Sequence, residues 1–197
     1  MRHSEKSKEE WFDLGRKYHE NEEYQKAVAA YRHVVKLDRY NVHAWHNLGL
    51  ALRFLGKLDD ALKVFNTAES LDPGNGEINI QQGLILIGQE KNEQAVKKFE
   101  NAFRSGLGSD NQMVAHIGMG IPYLNLDKPD DAISNFDAAL RIDNENLPAL
   151  TMKAGALLTQ GDFTLAKNVI DEALRIDPED EEALRILEMV KSSLAST

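Results

Sequence analysis

The stretch Trp11-Phe12-Asp13-Leu14-Gly15-Arg16-Lys17-Tyr18 returns along the chain in diluted form, and its return decides the fold. Gly15 is followed at intervals of 34 residues by Gly49 and Gly83. Twelve residues after each stands an alanine (Ala27, Ala61, Ala95), and four further on an aromatic ring (Tyr31, Phe65, Phe99). The pattern slips by three residues and resumes as Gly120, Ala132 and Phe136. A fifth pass, again 34 residues on, reads Ala154, Ala166 and Ile170. A small residue on one helix gives a bulky side chain on its neighbour room to settle, so the pattern is one of repeated close helix packing. Units of this length bury their apolar faces only by stacking on one another.

Each period reads as two helices. Trp45, Leu48, Gly49 and Leu52 follow the i, i+3, i+4, i+7 spacing of a helix face. Ser7 and Glu10 have the spacing of a capping box, which satisfies backbone donors at a helix start. Asn41, Asn75, Asn146 and Asp180 stand just before first helices, where a side-chain acceptor is wanted. Gly56 and Gly161 separate paired helices, at a place where a left-handed residue is cheap only for glycine. Trp11 and Trp45 are expected in the core between paired helices. In the tail, Leu184, Leu187 and Val190 are spaced to cover the last unit, with Glu181, Glu182, Lys191 and Ser192 facing water.

These residues resemble the tetratricopeptide repeat, whose signature is W-x2-L-G-x2-Y, then A-x3-F, then P, on a period of 34. Trp11, Leu14, Gly15, Tyr18, Ala27 and Tyr31 fit it in the first copy; Trp45, Leu48, Gly49, Ala61, Phe65 and Pro73 fit it in the second. The fifth copy ends in Leu174-Arg175-Ile176-Asp177-Pro178, although its first helix is degenerate at Leu150 and Ala154. The resemblance implies an all-α, right-handed α-solenoid of five helix-turn-helix repeats with a C-terminal capping helix. The division is a leader at 1–7, repeats at 8–41, 42–75, 76–109, 113–146 and 147–180, and a capping helix and tail at 181–197. The join between the third and fourth copies is irregular. Three extra residues fall near Ser105-Gly106-Leu107-Gly108-Ser109-Asp110, and Pro122 lies inside a first helix. A kink absorbed by a longer loop is expected there, or else a hinge, because proline lacks the donor for the carbonyl of Gly118.

Composition narrows the chemistry. The chain has 197 residues, 28% of them charged, a net charge of −9 and no cysteine. Disulfides and thiolate chemistry are thereby excluded. The acidic balance argues against a nucleic-acid surface. No apolar run approaches the length needed to insert in a membrane, and the opening residues do not read as a secretory signal. A cytoplasmic protein whose partner is another protein is the expectation. No phosphate loop, nucleophile elbow or other catalytic set stands in the sequence, so neither enzyme activity nor a cofactor is expected. His19, His43 and His46 could approach one another, but they read as histidines on a groove rim and not as a metal site. His3, His33 and His116 read as isolated positions.

The resemblance also implies a concave groove lined by first helices. Carried over position by position, it points to Arg16, Asn47, Leu50, Arg53, Phe54, Ile80, Gln81, Leu84, Ile87, Ile117, Ile121 and Leu124 as partner-binding residues. Thr151, Met152 and Leu158 continue the face in the fifth copy. The apolar members would take the face of a helix or an extended peptide, and Arg16, Asn47, Arg53 and Gln81 would orient it. Self-association through the groove or an end repeat is the alternative. The carboxylate clamp of heat-shock-protein co-chaperones is not expected, because its places hold Phe12, Arg16, Asn47, Glu77 and Gln81, of which only Asn47 matches.

Overall fold

The computed structural model describes residues 6–195, so most of the expected leader and the last two residues of the tail lie outside the described residues. Eleven α-helices and no strand occur among them. The first four are α1 (Lys8–Glu20), α2 (Tyr24–Leu37), α3 (Val42–Phe54) and α4 (Leu58–Leu71). Next come α5 (Gly76–Gly88), α6 (Asn92–Arg104), α7 (Ser109–Asn125) and α8 (Pro129–Ile142). The chain closes with α9 (Leu147–Gln160), α10 (Phe163–Ile176) and α11 (Glu181–Ala195). Each odd helix packs on the even helix after it, each even helix on the next odd one, and α11 rests on α10 and α9.

The small-and-large pattern is the packing. A Cβ built on Gly49 would lie 2.7 Å from the ring of Phe65, and one on Gly83 would lie 2.8 Å from Phe99. Tyr31, Phe65, Phe99 and Phe136 are all fully buried beside Ala27, Ala61, Ala95 and Ala132. Such contacts bring helix axes close and leave no void.

The links between hairpins repeat one geometry. Asn41, Asn75, Asn146 and Asp180 accept hydrogen bonds from Ala44 (2.9 Å), Ile78 (3.3 Å), Ala149 (3.1 Å) and Ala183 (2.7 Å). Three residues before each cap stands an aspartate (Asp38, Asp72, Asp143, Asp177) whose carbonyl accepts from the cap's own N–H. The capping box at α1 also forms, with the Glu10 N–H donating to Ser7 Oγ and the Ser7 N–H to Glu10 Oε2. Within the hairpins a left-handed residue recurs at one place: Glu22, Gly56, Glu90, Asp127 and Gly161, with φ from 58° to 89°. Glycine fills only two of these five positions, so the turn imposes its conformation on ordinary side chains in the other three.

The irregular join departs from expectation. The segment 105–108 between α6 and α7 has the same four-residue length as the segments 38–41, 72–75, 143–146 and 177–180. The extra residues lengthen α7 instead, to 17 residues where the other first helices have 13 or 14. With no asparagine cap before residue 113, nothing stops the helix from starting a turn early, at Gly108, which offers no side-chain cap. Pro122 is buried, and α7 continues past it to Asn125.

Four further corrections concern single side chains. Trp11 is only half-buried; it stacks on His33 (centroids 4.2 Å apart, 8° between planes) with Lys6 Nζ 5.1 Å from its ring. His33 is therefore not isolated, and neither is His116, which packs against Phe103 and hydrogen-bonds with Asn135. Ala183, Ile186 and Val190 form the buried stripe of α11, whereas Leu184 is 42% exposed. Val190 is buried as expected and Leu187 packs half-buried against the same cluster, so of the expected stripe only Leu184 turns away.

Candidate partner-binding groove

Successive first helices touch one another: α3 meets α5, α5 meets α7, α7 meets α9 and α9 meets α11. No two second helices approach comparably among the described residues. The stack is tighter on the first-helix side.

At the N-terminal end, Phe54 is 50% exposed and lies flat on Tyr24, with centroids 4.9 Å apart and 9° between planes. His19 meets both rings edge-on, at 5.5 Å from Phe54 and 5.2 Å from Tyr24. The Arg53 guanidinium sits 4.8 Å from the centre of the Phe54 ring, within cation–π range. Tyr24 belongs to a second helix, so reading first helices alone missed it. Arg16 is exposed on α1, and Asn47 is half-buried on α3. A recess of about 310 Å³ lies at the starts of α1 and α3, lined by Lys8, Glu9, Phe12, Asp13, Asn41 and His43.

Unsatisfied polar atoms gather along the next stretch of this face. His46 Nε2, Arg53 Nε and Gln81 Oε1 are buried without a hydrogen-bond partner. Burial lowers the pKa of His46, and the charge of His43 adds to this; Glu77 opposes it. Burial likewise lowers the pKa of His19 and of Arg53. Glu77 accepts a hydrogen bond of 3.1 Å from Asn111 Nδ2, tying α5 to the extra turn of α7. A buried polar atom without a partner costs free energy of order 1–3 kcal/mol, which a ligand group supplying the missing bond would recover. The histidines do not assemble as a metal site: among the described residues no three of His, Asp or Glu are grouped to hold an ion.

The apolar part of the face is less open than expected. Leu50, Leu84, Ile87, Ile117, Ile121 and Leu124 are half-buried, and Phe54 alone of the apolar candidates is broadly exposed. Ile80 is a correction. It is 2% exposed and belongs to a core cluster with Ala115 and Met119 of α7, which lies over it. It has no surface to offer a partner. At the C-terminal end a recess of about 470 Å³, mostly apolar, is lined by Leu124, Leu147, Pro148, Thr151, Met152, Gly155, Asp180, Glu182 and Ile186. The repeat pattern had placed Leu124, Thr151 and Met152 on this face. Ile186 was missed because α11 was read only as a lid.

No helix among the described residues is long and apolar enough to cross a membrane. Family models described as tetratricopeptide repeat match residues 12–76 and 123–190. The chain is 30% identical over 138 residues to a BBSome complex member, BBS4, of Xenopus tropicalis, covering 68% of this chain and 25% of that protein. It is 27% identical over 186 residues to the TPR repeat-containing protein MJ1428 of Methanocaldococcus jannaschii, covering 89% of this chain and 30% of that one. It therefore spans less than a third of either curated relative. Among solved structures, PilW, a type IV pilus biogenesis factor, superposes with a TM-score of 0.82 at 18% identity, over 98% of this chain and 93% of that one. The 34-residue spacing, the stacked hairpins with their glycine-under-ring packing, and these matches have one reading: the chain belongs to the tetratricopeptide repeat family.

Proposed function

We propose that the protein is an interaction module of five repeats, divided as the sequence spacing divides them, that holds a segment of another protein along its first-helix face and catalyses no reaction. The observation that carries this reading is the row of buried, unpartnered polar atoms on that face, His46 Nε2, Arg53 Nε and Gln81 Oε1, beside half-buried apolar side chains. Such a surface supplies both parts of peptide capture, an apolar floor for side chains and hydrogen-bonding groups for a backbone. A similar protein named as a BBSome complex member and a similarly folded one named as a pilus biogenesis factor agree with an assembly role. Arg16 and Arg53, with Asn47 and Gln81, would orient the segment, and Leu50, Phe54, Leu84, Ile87, Ile117, Ile121 and Leu124 would hold it. The test is a pull-down from native extract with wild type and the variants Phe54→Asp, Leu84→Glu and Ile121→Glu, each matched for helicity. A protein retained by wild type and lost from all three is the expected result. Equal capture by all four would overturn the reading.

Self-association is the second reading. It is favoured by Leu184 and Met189, which are 42% and 51% exposed on the outer side of α11. Sedimentation at rising protein concentration separates the two, since a binding module for other proteins keeps the mass of one chain.

A further inference from the structure

We infer that the recess between α7, α9 and α11 seats a bulky apolar side chain from a basic, amphipathic segment of another protein. The inference rests on the groove reading above and names the chemistry of the segment at one end of it.

The recess has the size of a side-chain or small-ligand site, and its walls are Leu124, Leu147, Pro148, Met152 and Ile186. Gly155 leaves it open: a Cβ at that position would have only Ile186 Cδ1 near it, at 3.7 Å. Thr151 lines the same space. It is 6% exposed, yet its Oγ1 has no hydrogen-bond partner, although a helical threonine ordinarily turns its hydroxyl to a carbonyl four residues back. A buried hydroxyl left over in an apolar pocket is a place for a ligand's polar group.

Charge identifies the occupant. Residues 113–195 hold 15 Asp and Glu against 7 Lys and Arg, so eight of the nine net negative charges lie in this part of the chain. At the lip, Asp180 accepts from the N–H of Ala183, and Glu182 is paired with Arg185, leaving no unpaired cation among the residues that line the recess. The field there draws cations and repels acidic surfaces, including the same end of a second copy. An apolar anchor flanked by Lys or Arg satisfies both the walls and the field.

Methionine methyl groups report on this site directly. Met152 lines the recess, whereas Met119 is buried in another cluster. The probe is a 14-residue amphipathic peptide of leucine and lysine, and its control replaces every lysine with glutamate. With protein labelled at methionine methyls, the leucine–lysine peptide is expected to move the Met152 signal and leave Met119 in place. Gly155→Leu fills the recess with a better helix former, so its thermal midpoint is expected at or above that of wild type while affinity falls at least tenfold. Equal binding of the glutamate peptide, or full affinity in Gly155→Leu, overturns the inference. A Met152 signal that moves with protein concentration alone assigns the recess to a second copy and also overturns it. Should Gly155→Leu bind normally while Leu84→Glu does not, the recess is excluded and the groove reading stands.

Discussion

Gly120 lies directly beneath the ring of Phe136: a Cβ built on it would fall 2.3 Å from Phe136 Cε1. Both residues are buried, and Phe136 is fully enclosed beside Ala132 and Ala156. The α7–α8 hairpin closes on this contact. Gly120→Ala must push the ring or separate the helices, at about 1–3 kcal/mol, against a gain of about 1 kcal/mol in helix propensity. Gly155→Ala meets nothing closer than 3.7 Å and keeps only the gain. Urea unfolding is expected to place Gly120→Ala below wild type and Gly155→Ala above it. The reverse order would mean that these hairpins are not closed by side-chain fit.

Glu22, Glu90 and Asp127 occupy the left-handed turn position that Gly56 and Gly161 fill elsewhere. A residue with a Cβ is strained there by about 1–2 kcal/mol relative to glycine. Each of Glu22→Gly, Glu90→Gly and Asp127→Gly should raise the unfolding midpoint, even though glycine is more flexible when unfolded. Gly161→Ala should lower it. Thermal unfolding of the four variants checks both directions.

Acid should weaken the fold through His46. Burial holds its folded pKa below the ordinary 6.5, so the unfolded chain binds the extra proton first. The stability linked to this group is complete above its unfolded pKa and is lost as pH falls through 6.5 toward the lower folded value. His19 shifts in the same direction, again mainly by burial. Denaturant midpoints measured from about pH 7 to about pH 5 should therefore fall, and His46→Gln should flatten the slope. An unchanged slope in that variant would rule out His46 as its source.

Pro122 gives α7 no donor for the carbonyl four residues back, at Gly118. Restoring that donor with Pro122→Ala should stabilise the chain by up to about 3 kcal/mol, less whatever packing the buried ring supplies. Chemical denaturation measures it. A destabilised variant would show that the ring's contacts outweigh the hydrogen bond.

The fold was legible because its packing is periodic. Glycine under a ring repeats in the letters as it does in space, and the Asn and Asp caps stand where their acceptors are used. Three things were not legible. The identity of Glu22, Glu90 or Asp127 gives no sign of a positive φ, which the turn imposes. Three inserted residues look the same in a loop as in a helix, and only the missing cap before residue 113 hinted at the second. Ile80 occupies a groove position by count, but α7 covers it. The site suffered most from reading first helices alone: Tyr24 and Ile186 enter it from a second helix and from the terminal one, and neither follows from the repeat.

The lengthened α7 has a consequence for how such a chain can change. Three inserted residues, and one more gained because α6 stops a residue sooner than α4, make it about 6 Å longer than the 13-residue α1, α3 and α5, while the link before it keeps its length. Growth is taken up at the start of the helix, where Asn111 reaches Glu77 of α5, and the link before it stays at four residues. An architecture of this kind accepts insertions as added helical turns, without lengthening the links between its hairpins.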